Sequence, residues 1–189
     1  MSKSLLITTS LVVFFLGMGV GYALTPEYAM MRADRQAPMM ELGQADRYLD
    51  LRYIDGMIAH HLSAIHMLEQ AQQQTQRPEI KDLATAVIAA DKAGIDQLYA
   101  YKKEWYNNTR QVTRYQKINL GSNDGKFELR LLNALLEHHA EAITVAQDVR
   151  TKSHRTEVLN VADEVISTLT ANATQLKTWR EAWYGIKSN

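Results

Sequence analysis

Apolar residues recur at intervals of three and four along most of this chain, the period of a helix with one buried face. Leu51, Ile54, Ile58, Ile65 and Leu68 mark such a face in a helix expected over residues 45–74. Pro78, suited to a first helical turn, opens a second, with Glu79 beside the positive end of its dipole. Its apolar positions run through Leu83, Val87, Ile88, Ile95 and Leu98 to Trp105-Tyr106. A third helix is expected over 126–151 and a fourth over 156–184, closed by Gly185 where a helix-ending glycine belongs. No stretch alternates apolar and polar residues with β-branched enrichment, so no strand is predicted. Few residues separate the helices within each pair, which makes them antiparallel neighbours, and polar residues 107–125 join the pairs. The economical arrangement is all-α: an up-down-up-down four-helix bundle made of two tandem helix hairpins.

The two hairpins are copies. LDLRYIDGMIAHHLSAI from Leu49 aligns with FELRLLNALLEHHAEAI from Phe127 at an offset of 78 residues, held without a gap to Tyr106 and Tyr184. Neither copy could bury its apolar faces alone. One bundle over 45–187 is therefore expected, with repeat one at 45–108, a linker at 109–125 and repeat two at 126–187.

Residues 1–24 differ from the rest. Leu5 to Leu24 carries no charge after Lys3, which is long enough for a bilayer-spanning helix, while Gly21-Tyr22-Ala23 could serve as a signal-cleavage site. An N-terminal apolar helix, either membrane anchor or cleaved signal, is the expectation. On both readings Lys3 stays inside and the bundle lies outside the cytoplasm, anchored to the inner membrane or secreted. Residues 25–44 read as a connector rich in methionine (Met30, Met31, Met39, Met40), broken by Pro26 and Pro38.

Charge and cysteine narrow the chemistry. Lys plus Arg equals Asp plus Glu at 21 each, giving a formal net charge of zero, which argues against nucleic acid as a partner. With no cysteine, thiolate metal sites and cysteine nucleophiles are excluded.

What remains is histidine. His60-His61 and His138-His139 occupy the same register of the two copies and flank the inward stripe of their helices, above Ala64 and Ala142. If the pseudo-twofold lay along the bundle axis, the first and third helices would be diagonal and all four imidazoles would meet in one layer. Neutral imidazole is the commonest metal ligand, and thioether sulfur tilts preference towards copper(I). Met57 and Met67 are on the first helix, and the second copy has no methionine. The rival reading is a buried hydrogen-bonded histidine layer, with methionine as core filler. His66 and His154 are expected at the surface. No Glu-x-x-His, no His-Glu-x-x-His and no nucleophile with a base beside it is present, so catalysis is not expected. The Trp-Tyr pairs read as packing at the bundle ends.

Asp50, Tyr53, Met57-Ile58-Ala59-His60-His61, Ala64, Met67, Arg77-Pro78-Glu79-Ile80, Leu83-Ala84, Ile88 and Trp105-Tyr106 together resemble the bacterial domain-of-unknown-function 305 family. The resemblance spans residues 45–185 and implies a ferritin-like helical bundle outside the cytoplasm. It also implies copper binding by methionine and histidine, as associated with some members. Carried over position by position, it marks Met57, His60, His61 and Met67 as ligands in the first half. In the second half it marks only His138 and His139, because Leu135 and Val145 replace the methionines. Where the family's second helix often has Gln and Glu-Ile, this chain has Asp91 and Gly94-Ile95, and Leu169 and Asn172-Ala173 in the second copy. An acid behind the ligating histidines is therefore expected to be missing.

The sequence thus predicts a non-catalytic bundle that handles a metal ion, copper first. The alternative is a membrane-anchored structural or interaction module with no metal, acting through a homo-oligomer or another protein.

Overall fold

The structure, a computed structural model, describes residues 41–187. Within them are four helices: α1 (Leu49–Gln74), α2 (Pro78–Tyr106), α3 (Phe127–Lys152) and α4 (Thr156–Tyr184). No strand occurs among the described residues. The apolar helix expected over 1–24 and nearly all of the connector lie outside the described residues. None of the described helices is long and apolar enough to cross a membrane.

Helix ends follow the local chemistry of the sequence. Pro78 takes the first turn of α2, and Gly185 adopts φ 67° after α4, where a left-handed residue closes the helix at little steric cost. Asn107 takes the mate position after α2 at φ 47°, a conformation Asn tolerates better than most side chains. At the hairpin turns, Thr75 and Ser153 follow α1 and α3 and accept the backbone N–H groups of Arg77 and Arg155 at 3.1 and 3.2 Å.

The path of the chain is not up-down-up-down. Thr75, at the end of α1, donates to Glu128 at the start of α3 over 2.8 Å. Ser153, at the end of α3, donates to Asp50 at the start of α1 over 2.6 Å. The first and third helices are therefore antiparallel and packed on each other, and the order of directions is up-down-down-up. The pseudo-twofold runs across the helices, not along them. Short loops dictate antiparallel neighbours only within a hairpin; the longer linker was free to choose, and it crosses the whole bundle. A helix of 26 residues measures about 39 Å, and residues 108–120 in extended form reach about 43 Å. A single long crossover of this kind is the ferritin-like variant of the four-helix bundle.

The linker is an ordered strap along α1. Val112 N–H donates to the Tyr99 hydroxyl at 2.9 Å, and Gln116 N–H to Ser63 Oγ at 3.0 Å. Gln70 then clamps it from both sides, donating to Ile118 O at 2.7 Å and accepting from Leu120 N–H at 3.0 Å. Near its start the buried Lys102 ammonium holds Arg110 O and the Asp55 carboxylate, both at 2.6 Å.

Each repeat begins with the same clasp, upstream of the first helix residue. Arg52 donates to the carbonyls of Leu42 and Gln44, both at 2.6 Å, and pairs with Asp46. Arg130 does the same to Leu120 and Ser122, at 2.6 and 2.7 Å, and pairs with Asp124. Gly43 and Gly121 turn the loop at φ 64° and 76°. Leu42 and Leu120, both buried, thereby join the core of the helices that follow. The bundle ends match as well: Arg155 stacks over Trp105 at 4.1 Å, and Arg77 over Trp183 at 4.0 Å, so the Trp-Tyr pairs do close the ends.

Candidate metal centre

His60 and His138 sit midway along α1 and α3, where the two helices cross and the pseudo-twofold passes. Antiparallel packing at equal register brings each ring onto its own copy. The rings stack with centroids 3.8 Å apart and planes 3° from parallel. His61 stands edge-on to His60 at 5.6 Å, and His139 lies 6.4 Å from His138. One histidine layer does form, although the helices carrying it are neighbours and not diagonal.

Burial decides the protonation of this layer. His60, His138 and His139 are 3%, 2% and 7% exposed. Desolvation, with the neighbouring histidines adding to it, holds His60 well below the ordinary imidazole range. The same causes push His138 down to about 3, and burial alone lowers His139 to about 4. All three are therefore neutral near pH 7, the form that binds metal.

Their hydrogen bonding is incomplete. His138 Nε2 donates to the carbonyl of His60 at 3.2 Å. The reciprocal approach of the His60 ring to His138 falls short of a hydrogen bond, so both ring nitrogens of His60 are buried without a partner. Nδ1 of His138 and Nδ1 of His139 are unpartnered too. A buried unsatisfied polar atom costs about 1–3 kcal/mol, which a purely structural layer would have no reason to sustain. Coordination of an ion would relieve it.

α2 and α4 are not closely packed on each other, and between them opens a cleft of about 450 Å³ that ends on this layer. Met57, His60, His61 and His139 line it from α1 and α3; Asp91 and Gly94 face it from α2, and Leu169 and Asn172 from α4. Of the predicted ligands, the structure thus gathers Met57, His60, His61 and His139. His138 is behind the His60 ring and does not line the cleft. Met67 is fully buried in the apolar cluster with Leu68, Ile80 and Leu132, away from the cleft, and acts there as core. His154 is exposed as expected, whereas His66 is half-buried.

The expectation of a missing acid is corrected in the first half. Asp91 Oδ1 lies 2.8 Å from His61 Nδ1, and its Oδ2 is buried without a partner. In the second half the expectation stands, since Leu169 occupies the mate position. Gly94 is likewise a departure from the family's pattern, and a Cβ there would stand 3.3 Å from His61 Nε2. The signal for both was spacing: each faces His61 across the hairpin, a relation visible once the register of α1 on α2 is known.

Histidine and thioether donors on one wall suit a soft cation. Among the described residues, no three His, Cys, Asp or Glu side chains converge to hold an ion by themselves. A full coordination sphere here therefore needs the Met57 sulfur or some rearrangement.

Comparison with solved structures finds the same fold. CopM in its Cu(I)-bound form is similar over 70% of this chain and 96% of its own, at 28% identity and a TM-score of 0.63. The Ag-bound form obtained by soaking matches at 26% identity and 0.64 over the same shares. The Cu(II)-bound form matches at 25% and 0.62, over 71% of this chain and 97% of that one. None of the curated proteins matches the sequence. The profile of the domain of unknown function DUF305 matches residues 24–102, 50–126 and 128–189, taking in both hairpins and the linker, and the chain belongs to that family.

Proposed function

We propose that this protein binds copper outside the cytoplasm and stores it or passes it on without transforming a substrate. The observation that carries this reading is the cleft whose floor joins Met57 to the buried neutral imidazole of His60 and the half-buried His61, with His139 beside them. Each neutral ring there has one nitrogen with a free lone pair, and both nitrogens of His60 are buried without a hydrogen-bond partner. The mixed sulfur and nitrogen set favours copper(I) over zinc. Likeness to CopM, a protein described in Cu(I)-, Cu(II)- and Ag-bound forms, supports the same cargo. Extracytoplasmic placement rests on the uncharged run from Leu5 to Leu24 behind Lys3, acting as inner-membrane anchor or cleaved signal.

The test is an anaerobic copper(I) competition titration of the full chain beside a variant carrying His60→Ala, His61→Ala, His138→Ala and His139→Ala. Tight binding lost in a variant that keeps its helical circular dichroism supports the reading. Absence of binding in the parent removes it.

A second reading has one observation in its favour. His138 Nε2 spends its proton on the His60 carbonyl, a purely architectural bond between α1 and α3. In this reading the layer joins the two hairpins and the bundle serves a protein partner or a second copy of itself. It predicts no copper binding and no effect of Met57→Leu beyond packing.

A further inference from the structure

The two halves of the cleft are related by the pseudo-twofold, yet they differ where it matters for an ion. His61 has a carboxylate on Nδ1, at 2.8 Å from Asp91. His139, its mate, has a buried Nδ1 with no partner, and the mate of Asp91 is the apolar Leu169. His61 Nε2 faces Gly94, which has no side chain, and the mate position of Gly94 is Asn172.

We infer that α2 selects which half of the cleft takes the ion: Asp91 orients His61 and Gly94 keeps the approach to its Nε2 open, so the ion seats on the first-repeat side. This rests on the copper reading above. A carboxylate only accepts, so a hydrogen bond from His61 to Asp91 puts the ring proton on Nδ1 and leaves the lone pair on Nε2. The same bond fixes the ring plane, a usual task of an acid behind a ligating histidine. A Cβ at 94 would stand at 3.3 Å from Nε2, in the space an ion must cross. Glycine inside a helix lowers its stability relative to alanine, so its presence in α2 calls for such a reason. Among the described residues His139 has no such support: its Nδ1 is unpartnered, and the positions matching Asp91 and Gly94 hold Leu169 and Asn172. Asp91 and Gly94 are positioning residues, and neither need touch the ion.

The experiment has two readouts on the full chain. The first is the tautomer of His61 in metal-free, ¹⁵N-labelled protein, read from its ring-nitrogen shifts; the second is copper(I) affinity by competition. We expect a protonated Nδ1 and bare Nε2 in the parent, and a mixture of tautomers in Asp91→Leu. Copper(I) affinity should fall roughly 10- to 100-fold in Asp91→Leu, the usual effect of losing the acid behind a metal ligand. Asp91→Asn, which keeps an acceptor oxygen, should retain more of it. Gly94→Ala should bind more weakly while melting no lower than the parent, which separates blocked approach from unfolding. His61→Ala should cost at least roughly tenfold more affinity than His139→Ala, following the same ligand-support magnitude. A parent that binds copper while Asp91→Leu and Gly94→Ala bind equally well overturns this inference alone. So does a His61 protonated on Nε2. A parent that binds no copper overturns the copper reading and this inference with it.

Discussion

His60 and His138 lie face to face at 3.8 Å, each the other's image across the pseudo-twofold, and neither ring is fully hydrogen-bonded. Two stacked imidazoles buried at 3% and 2% exposure cannot both charge, since each cation would face a like charge and no counter-ion. From this pair follow the pH behaviour and the stability of the bundle.

Acid should unfold the metal-free protein early. The histidines of the unfolded chain titrate near 6.5, whereas in the fold His139 is lowered to about 4, His138 to about 3 and His60 well below its ordinary value. Below the unfolded value the unfolded state binds more protons, so stability is whole above pH 6.5 and drains as pH falls towards 4 and below. Each such histidine contributes a slope of about 1.4 kcal/mol per pH unit inside that window. Urea unfolding at pH 7, 6, 5 and 4 measures it. A flat profile between pH 7 and 5 would contradict the buried neutral layer.

Copper should restore what acid removes. An ion that binds only the folded state at 100 times its dissociation constant adds about 2.7 kcal/mol. Melting temperature at pH 5 is therefore expected to rise with added copper(I) and to stay put in the variant lacking all four histidines.

Replacing His60 and His138 together by leucine should leave the fold at least as stable as the parent at pH 7. Apolar replacement of poorly satisfied buried polar rings is close to neutral or better, and neither ring is the other's hydrogen-bond partner, since His138 bonds the His60 backbone carbonyl. Thermal denaturation checks it: the double variant should melt at or above the parent. Such an outcome would say that the histidines are kept for what they bind.

The two methionines named from the sequence should part company. Met57 lines the cleft and Met67 does not. Met57→Leu is expected to weaken copper(I) binding, and Met67→Leu, a volume-conserving core change costing under about 1.5 kcal/mol, to leave it unchanged. Equal losses in both would move the ion away from the cleft.

The strap should detach locally. Gln70 makes two hydrogen bonds to it, at 2.7 and 3.0 Å, so Gln70→Ala should cost about 2 kcal/mol and speed amide exchange at Leu120.

Much of this molecule was legible in the pattern of its residues, and the misses have physical causes. Helix positions followed from periodicity, from Pro78 and from Gly185, because these act within a few residues of themselves. The direction of α3 did not, because nothing local in the linker distinguishes a turn from a crossing. It is settled by distant partners such as Thr75 with Glu128 and Gln70 with Leu120. At the site, His60, His61, His138 and His139 announced themselves by repetition. Asp91 and Gly94 were visible only as irregularities, since their meaning depends on the side of α2 that meets His61. Met67 shows the opposite limit: a residue of the right type, nearly two turns past His61, is packed among apolar side chains away from the cleft.

The strap along α1 does more than connect. Two identical hairpins meeting across a perpendicular twofold would form a symmetric pair, in which every difference between the halves is forbidden: an aspartate at 91 would demand one at 169. Joining the hairpins in one chain lifts that constraint. Each position now has its own codon, so one half can specialise in holding and the other in walling. The crossover that looked like a detour in the path of the chain is what permits the cleft to be lopsided.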